Sequence, residues 1–96
     1  MPTFSRTERF RSDYAALTAT ERSVFRKAVE KFIADLPSRR FRPGLRVRGV
    51  QGVAGVFEMT WADDGRATFE YGGAVREGEV HVVWRRVGTH EILGRP

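Results

Sequence analysis

The chain has no cysteine, which excludes disulfides and thiolate metal sites. It has no apolar run of about eighteen residues, so no membrane-spanning helix is expected. Its first residues, Met1-Pro2-Thr3-Phe4-Ser5-Arg6, have no apolar core and do not read as a secretory signal. Repeats, low-complexity tracts and linkers are absent. Lysine is almost absent too: of 17 cationic residues, only Lys27 and Lys31 are not arginine. Ninety-six residues leave room for one domain, residues 1–96, with one core. A cytoplasmic, bacterial-type protein is the plain expectation.

What is present in excess is positive charge. The formal net charge is +5. A GC-rich genome accounts for arginine over lysine, but not for the sign of the balance. That sign favours a polyanionic partner. Arginine is well suited to one, because its planar fork binds phosphate bidentately and stacks on bases.

The first third reads as helical. Phe10, Tyr14 and Leu17 fall at i, i+4, i+7 on one face, with Ser5 or Thr7 as the cap. Thr18 followed by Glu21 fits a capping box. Phe25, Ala28, Val29, Phe32, Ile33 and Leu36 then form a stripe that Pro37 ends. Phe4 stands before the helices in a stretch too short to assign. Beyond the basic connector Ser38 to Gly44 the period changes to two. Leu45 and Val47 alternate with Arg46 and Arg48. Phe57, Met59 and Trp61 alternate with Glu58 and Thr60; Ala67, Phe69 and Tyr71 alternate with Arg66, Thr68 and Glu70. Half-buried strands show this pattern. The fold expected is α+β, two N-terminal helices packed on one face of a twisted antiparallel sheet of about four strands.

Alternation also suggests a register for the central hairpin. A three-residue loop with Gly65 in the left-handed conformation pairs Ala62 with Arg66. Met59 then faces Phe69, Phe57 faces Tyr71, and Glu58 faces Glu70. Two opposed carboxylates repel, so Arg46 and Arg48 are their natural partners. A cross-strand salt-bridge ladder is the ordinary reading of that face; a catalytic or RNA-binding face is the functional one.

The last third ends in Val80-His81-Val82-Val83-Trp84-Arg85-Arg86-Val87-Gly88-Thr89-His90-Glu91. An apolar strand runs into two arginines, a glycine and a histidine. Fixed positive charge holds an anion, and an imidazole trades a proton near neutral pH. Strict alternation places Arg86 with Val82 and Trp84, and Arg85 with His81 and Val83. Alternation alone does not choose which arginine meets a substrate.

In this order, the segments Phe10-Arg11-Ser12-Asp13-Tyr14, Gly44-Leu45-Arg46-Val47-Arg48-Gly49-Val50-Gln51-Gly52, Gly55-Val56-Phe57-Glu58-Met59, Gly65-Arg66-Ala67-Thr68-Phe69-Glu70-Tyr71 and Arg85-Arg86-Val87-Gly88-Thr89-His90-Glu91 resemble the RelE/ParE superfamily of toxins from type II toxin–antitoxin pairs. The ending resembles that of the mRNA-cleaving branch. The resemblance implies a metal-independent endoribonuclease without cofactors, acting on mRNA free or on the ribosome and neutralised by an antitoxin protein. It implies that His90 is a general acid or base, and that Arg66 and Arg86 contact the scissile phosphate. Arg46 and Arg48 match positions that grip the RNA backbone. From their charge rather than from the resemblance, Arg42 of the basic connector and Arg85 are further candidates for RNA contact. Pro43 and Gly44 stand where many members carry a carboxylate or histidine, so no second proton-transfer group is obvious. Glu58 or Glu70 would serve if burial raised its pKa. The alternative is a non-catalytic binding module of the same family, gyrase-inhibitor-like or an inactive homologue. A third reading, from charge alone, is a general RNA-binding domain.

Overall fold

The computed structural model describes all 96 residues. Strand β1 (Thr3–Arg6) leads into helices α1 (Glu8–Ala16) and α2 (Ala19–Asp35). Strands β2 (Arg48–Gly49), β3 (Val56–Thr60), β4 (Gly65–Gly72) and β5 (His81–Thr89) follow. They form one sheet in the order β1-β5-β4-β3-β2. The sheet therefore has five strands rather than about four, and it is mixed rather than antiparallel, because β1 runs parallel to β5. The extra strand is the stretch around Phe4. Its partner lies 78 positions along the chain, Thr3 against His81, so local periodicity carries no sign of the pairing.

Both helices start where the sequence places caps. Thr7 accepts from the Phe10 N–H. Thr18 and Glu21 form the reciprocal box, with bonds of 3.1 and 2.8 Å that satisfy two otherwise unpaired donors. Pro37 ends α2, and the chain tightens into a 3₁₀ turn, Leu36–Ser38. Phe25, Ala28, Phe32 and Leu36 from the helical stripe enter the core. There they meet Met59, Trp61, Ala67, Phe69, Val82, Trp84 and Val87 from one face of the sheet. Phe32 is fully buried, with its ring 5.0 Å from that of Phe69. Burial of one such side chain contributes about 1.5–3 kcal/mol. Val29 and Ile33 share the stripe but lie at its margin, and Ile33 stays 37% exposed.

Three expectations about the sheet are corrected. The strand expected over Leu45–Arg48 shrinks to Arg48–Gly49. Pro43–Leu45 is a 3₁₀ turn, and Arg46 adopts a left-handed φ of 46° that no strand accommodates. The central hairpin is shifted by two residues, with Met59 opposite Ala67, Phe57 opposite Phe69, Glu58 opposite Thr68 and Thr60 opposite Arg66. The shift keeps every residue on its expected face, because side chains repeat every two positions. It removes the Glu58–Glu70 opposition altogether. Gly65 opens β4 and is not left-handed. A Cβ there would lie 2.6 Å from the Trp61 indole, so close packing rather than φ requires the glycine.

The third correction concerns β5. Thr68 pairs with Arg86 but Phe69 pairs with Trp84, which leaves Arg85 as the extra residue of a β-bulge. The bulge reverses the alternation. Trp84 and Val87 both face the core, and Arg86 moves to the opposite face from Val82 and Trp84.

Candidate functional site

His90 begins a short 3₁₀ turn, His90–Gly94, directly after β5. Thr89 pairs with Gly65, which brings the end of β5 beside the Ala62–Asp64 turn of the central hairpin. The His90 Nδ1 consequently lies 2.5 Å from Asp64 Oδ1. The hydrogen bond from His90 holds the Asp64 carboxyl below its usual 3.8, and the charge of Arg66 adds a smaller effect in the same direction. An ionised carboxylate only accepts, so Nδ1 carries the proton. The lone pair of Nε2 then has no protein partner. Both side chains are mostly exposed, 64% for His90 and 60% for Asp64. The pair is an oriented imidazole with one ring nitrogen open to solvent.

Arg66 lies under the same turn. Its Nη1 donates to the carbonyls of Gly65 at 2.9 Å and Asp63 at 3.2 Å. Arg66 also lines a groove of about 530 Å³ between α2 and the hairpin. Lys27, Lys31, Arg42 and Arg46 line that groove as well, against a single acid, Asp63. Lys27 and Lys31 stand one turn apart on α2, so both project to the same side. Arg46 makes no ion pair. Arg42 donates to Asp35 from Nε at 2.8 Å and Nη2 at 2.9 Å. Those bonds hold the Asp35 carboxyl at about 2 and raise Arg42. Low-dielectric walls lined by one sign of charge concentrate anions.

The remaining expected residues fall elsewhere. Arg86 grips Asp13 of α1, Nε to Oδ2 at 2.7 Å and Nη2 to Oδ1 at 3.1 Å. Asp13 Oδ2 also accepts from the Val87 N–H. That N–H lies on the outer edge of β5 beyond the last residue of β1, where no strand would otherwise satisfy it. Arg86 therefore fastens α1 to the sheet, with its side chain only 15% exposed. Arg85 donates to Glu70 Oε2 at 3.0 Å and to the Pro96 carbonyl at 3.0 Å. Arg48 donates to Glu58 Oε1 at 3.1 Å across β2 and β3, as the sequence suggests for the ladder. Glu58 and Glu70 each hold an arginine, which an acid or base would have to release. Arg46 is not the partner of either.

The structure thus sets the His90–Asp64 pair at the tip of the hairpin next to Arg66, which lines the groove together with Arg46 and the Asp35-paired Arg42, and leaves Arg86, Arg85 and Arg48 in ion pairs elsewhere. Sequence reading missed Asp64, Lys27 and Lys31. The two lysines carried a signal, because they are spaced for one helical face; Asp64 carried none, since its approach to His90 depends on the long-range pairing of Thr89 with Gly65.

No protein-family model matches the chain, and no curated protein is similar to it in sequence. Solved structures are similar in fold. A chain of the E. coli DinJ–YafQ toxin–antitoxin complex superposes with a TM-score of 0.66 at 14% identity, over 96% of both chains. The YoeB/ParE toxin from Agrobacterium tumefaciens gives 0.67 at 13% identity, over 92% of this chain and 98% of that one. A chain of the intact E. coli RelBE toxin–antitoxin complex gives 0.61 at 19% identity, over 93% and 96%. The chain has the RelE/ParE-like fold.

Proposed function

We propose that the protein is the toxin of a toxin–antitoxin pair, a cytoplasmic endoribonuclease that cuts mRNA, free or on the ribosome. The observation that carries this reading is the Asp64-oriented imidazole of His90 beside a groove lined by Lys27, Lys31, Arg42, Arg46 and Arg66. The groove holds successive phosphates of a single strand, with salt-dependent affinity. The neutral His90 Nε2 takes the proton from a ribose 2′-OH. The 2′-oxygen attacks the adjacent phosphorus and the bond to the 5′-oxygen breaks. The 5′-oxygen takes its proton from water, and the imidazolium, stabilised by Asp64, returns its proton to solvent. The products are a 2′,3′-cyclic phosphate and a 5′-hydroxyl. Arg66 lies nearest the pair and neutralises the growing charge on phosphorus-bound oxygen. The scheme uses side chains of this protein and water. The toxin–antitoxin complexes among the fold relatives support an antitoxin as its partner.

Mapping of RNA 5′ ends after tightly controlled expression, and with purified RNA with and without ribosomes, tests the reading. His90→Ala should lose about 100-fold or more in cleavage, the usual weight of a general acid–base group. Asp64→Asn should lose less, because the imidazole remains. Unchanged transcripts, or His90→Ala cleaving as fast as the parent, overturns it.

One observation favours the non-catalytic alternative. Glu58 and Glu70, the expected second acid or base, are each held by an arginine, and Arg86, expected at the phosphate, is held by Asp13. That reading expects His90→Ala to arrest growth as strongly as the parent, without RNA cleavage.

A further inference from the structure

A second recess, of about 510 Å³, opens between the start of α2 and the hairpin turn, and its charge is opposite to that of the basic groove. Glu21, Asp63 and Asp64 line it, and no lysine, arginine or histidine does. The three carboxylates differ in what they have left to offer. Glu21 accepts from the Thr18 N–H within the capping box, and Asp64 holds His90. Asp63 stands exposed in the turn and forms no ion pair. Both of its oxygens are open to donors from outside the chain. Two hydroxyls stand at the same rim, Thr20 and Thr89. Thr89 Oγ1 accepts from the Glu91 N–H at 3.3 Å and keeps its own proton to donate.

The recess and the basic groove share a wall. Val24, Trp61, Ala62 and Asp63 line both. Val24 is 40% exposed, an apolar side chain left uncovered on α2. From the groove across this ridge, the surface runs from cationic to apolar to acidic. A nucleotide is built in the same order: an anionic phosphate, a flat ring with apolar faces, and a polar edge. The groove attracts the phosphate and the recess repels it. A cationic ligand long enough to span both would be repelled by the groove. Asp64 and Thr89, the neighbour of His90, line the recess, so the oriented imidazole stands at its mouth.

We infer that this recess is a nucleobase pocket and that it selects guanine. Unstacked bases of single-stranded RNA are read along their hydrogen-bonding edges. An ionised carboxylate only accepts, so Asp63 favours an edge with two adjacent N–H donors. Guanine alone has one, N1–H beside the 2-amino group, with the acceptor O6 next to them. Adenine and cytosine present a single amino group beside an acceptor nitrogen, and uracil presents one N–H between two acceptor oxygens. Each of these sets a lone pair against Asp63. Guanine instead gives Asp63 both donors and turns O6 towards a threonine hydroxyl of the rim. Its ring lies against the ridge of Val24 and Trp61. With the base in the recess and the phosphate at Arg66, the ribose lies beside His90. The guanosine then supplies the 2′-OH, and the cut falls directly 3′ of it. The position of the cut rests on the reading of His90 as the general base; the choice of base does not.

The test titrates the whole protein, isotope-labelled, with the four 3′-mononucleotides, which carry base and phosphate in the order of the surface. Affinity for 3′-GMP should exceed that for 3′-AMP, 3′-CMP and 3′-UMP by about tenfold or more, the usual weight of a bidentate base contact. Chemical-shift changes should reach Thr20, Asp63, Thr89, Arg66 and the Trp61 indole N–H. Inosine 3′-monophosphate, which lacks the 2-amino group, should bind between 3′-GMP and 3′-AMP. Asp63→Asn keeps the size of an exposed turn residue but replaces one acceptor by a donor, and should bring 3′-GMP down to about the level of 3′-AMP. Unchanged resonances away from the turn report that this variant is folded. Mapped RNA cuts should follow guanosine. Equal affinity for the four nucleotides, shifts confined to the basic groove, or an Asp63→Asn protein that keeps the preference overturns the inference. Cleavage spread evenly over the four bases also overturns it, and leaves the endoribonuclease reading standing. Selective binding of 3′-GMP in the recess by a protein that cuts no RNA upholds the pocket and removes the catalytic reading instead.

Discussion

Replacing Gly65 by alanine tests the account of the central hairpin directly. A Cβ at this position would stand 2.6 Å from Cδ2 and Cε2 of Trp61 and 3.0 Å from the Ala62 Cβ. The indole has little freedom to retreat. It is 9% exposed, its Nε1 donates to the Arg66 carbonyl at 3.0 Å, and its ring meets Phe25 edge-on at 5.9 Å. Overpacking of this kind costs about 1–3 kcal/mol. Gly→Ala also restricts the unfolded chain, which offsets about 0.4–1 kcal/mol. A net destabilisation of about 1–2 kcal/mol is expected, or a fall in Tm of about 4–16 °C for a domain of this size. Urea unfolding followed by Trp fluorescence measures it. The displaced turn should also carry Asp64 away from His90, so the Asp64 carboxyl should titrate closer to 3.8. A Gly65→Ala protein as stable as the parent, with Asp64 titrating as before, would refute the argument that close packing fixes this glycine.

Asp13→Ala strands the Arg86 guanidinium and the Val87 N–H in a partly buried position, and should cost about 1–3 kcal/mol in urea unfolding; Asp13→Asn keeps acceptor capacity and should cost less. Asp35 should titrate at about 2 by carboxyl NMR, and Arg42→Ala should return it towards 3.8. The sign follows from a depressed folded value: the Arg42–Asp35 contribution is complete above the ordinary carboxylate range and is lost as pH falls from 3.8 through about 2. Thr18→Ala removes half of the capping box and should destabilise by about 1 kcal/mol in the same unfolding assay.

The parts of the fold that were legible are those that depend on neighbours in sequence. Thr18 and Glu21 announce the start of α2, and Pro37 announces its end, because caps and breakers act within one turn. The alternation of Phe57, Met59, Ala67 and Phe69 assigns faces correctly. It does not assign register, since a slip of two residues leaves every face unchanged. The observed register goes with the Trp61 ring lying on Gly65, a contact between residues that composition does not single out. The Arg85 bulge is hidden for a related reason: it changes the strand period locally, and no proline or glycine marks the place. The same limit applies to the site. His90 stands out as a lone imidazole near arginines, but its partner emerges only when Thr89 is paired with Gly65. Arg86 carries the right chemistry in the right segment, and only the outer edge of β5, left bare beyond Arg6, shows why Asp13 holds it.

The strand order carries a consequence for biosynthesis. The fifth strand lies between the first and the fourth, so β1 has no hydrogen-bonding neighbour until β5 has left the exit tunnel. A nascent chain that stops after β4 holds helices and a hairpin with no central strand to join them. The imidazole that follows β5 arrives at the same moment. A chain that stops before β5 therefore lacks both the pairing of β1 and the contact of His90 with Asp64.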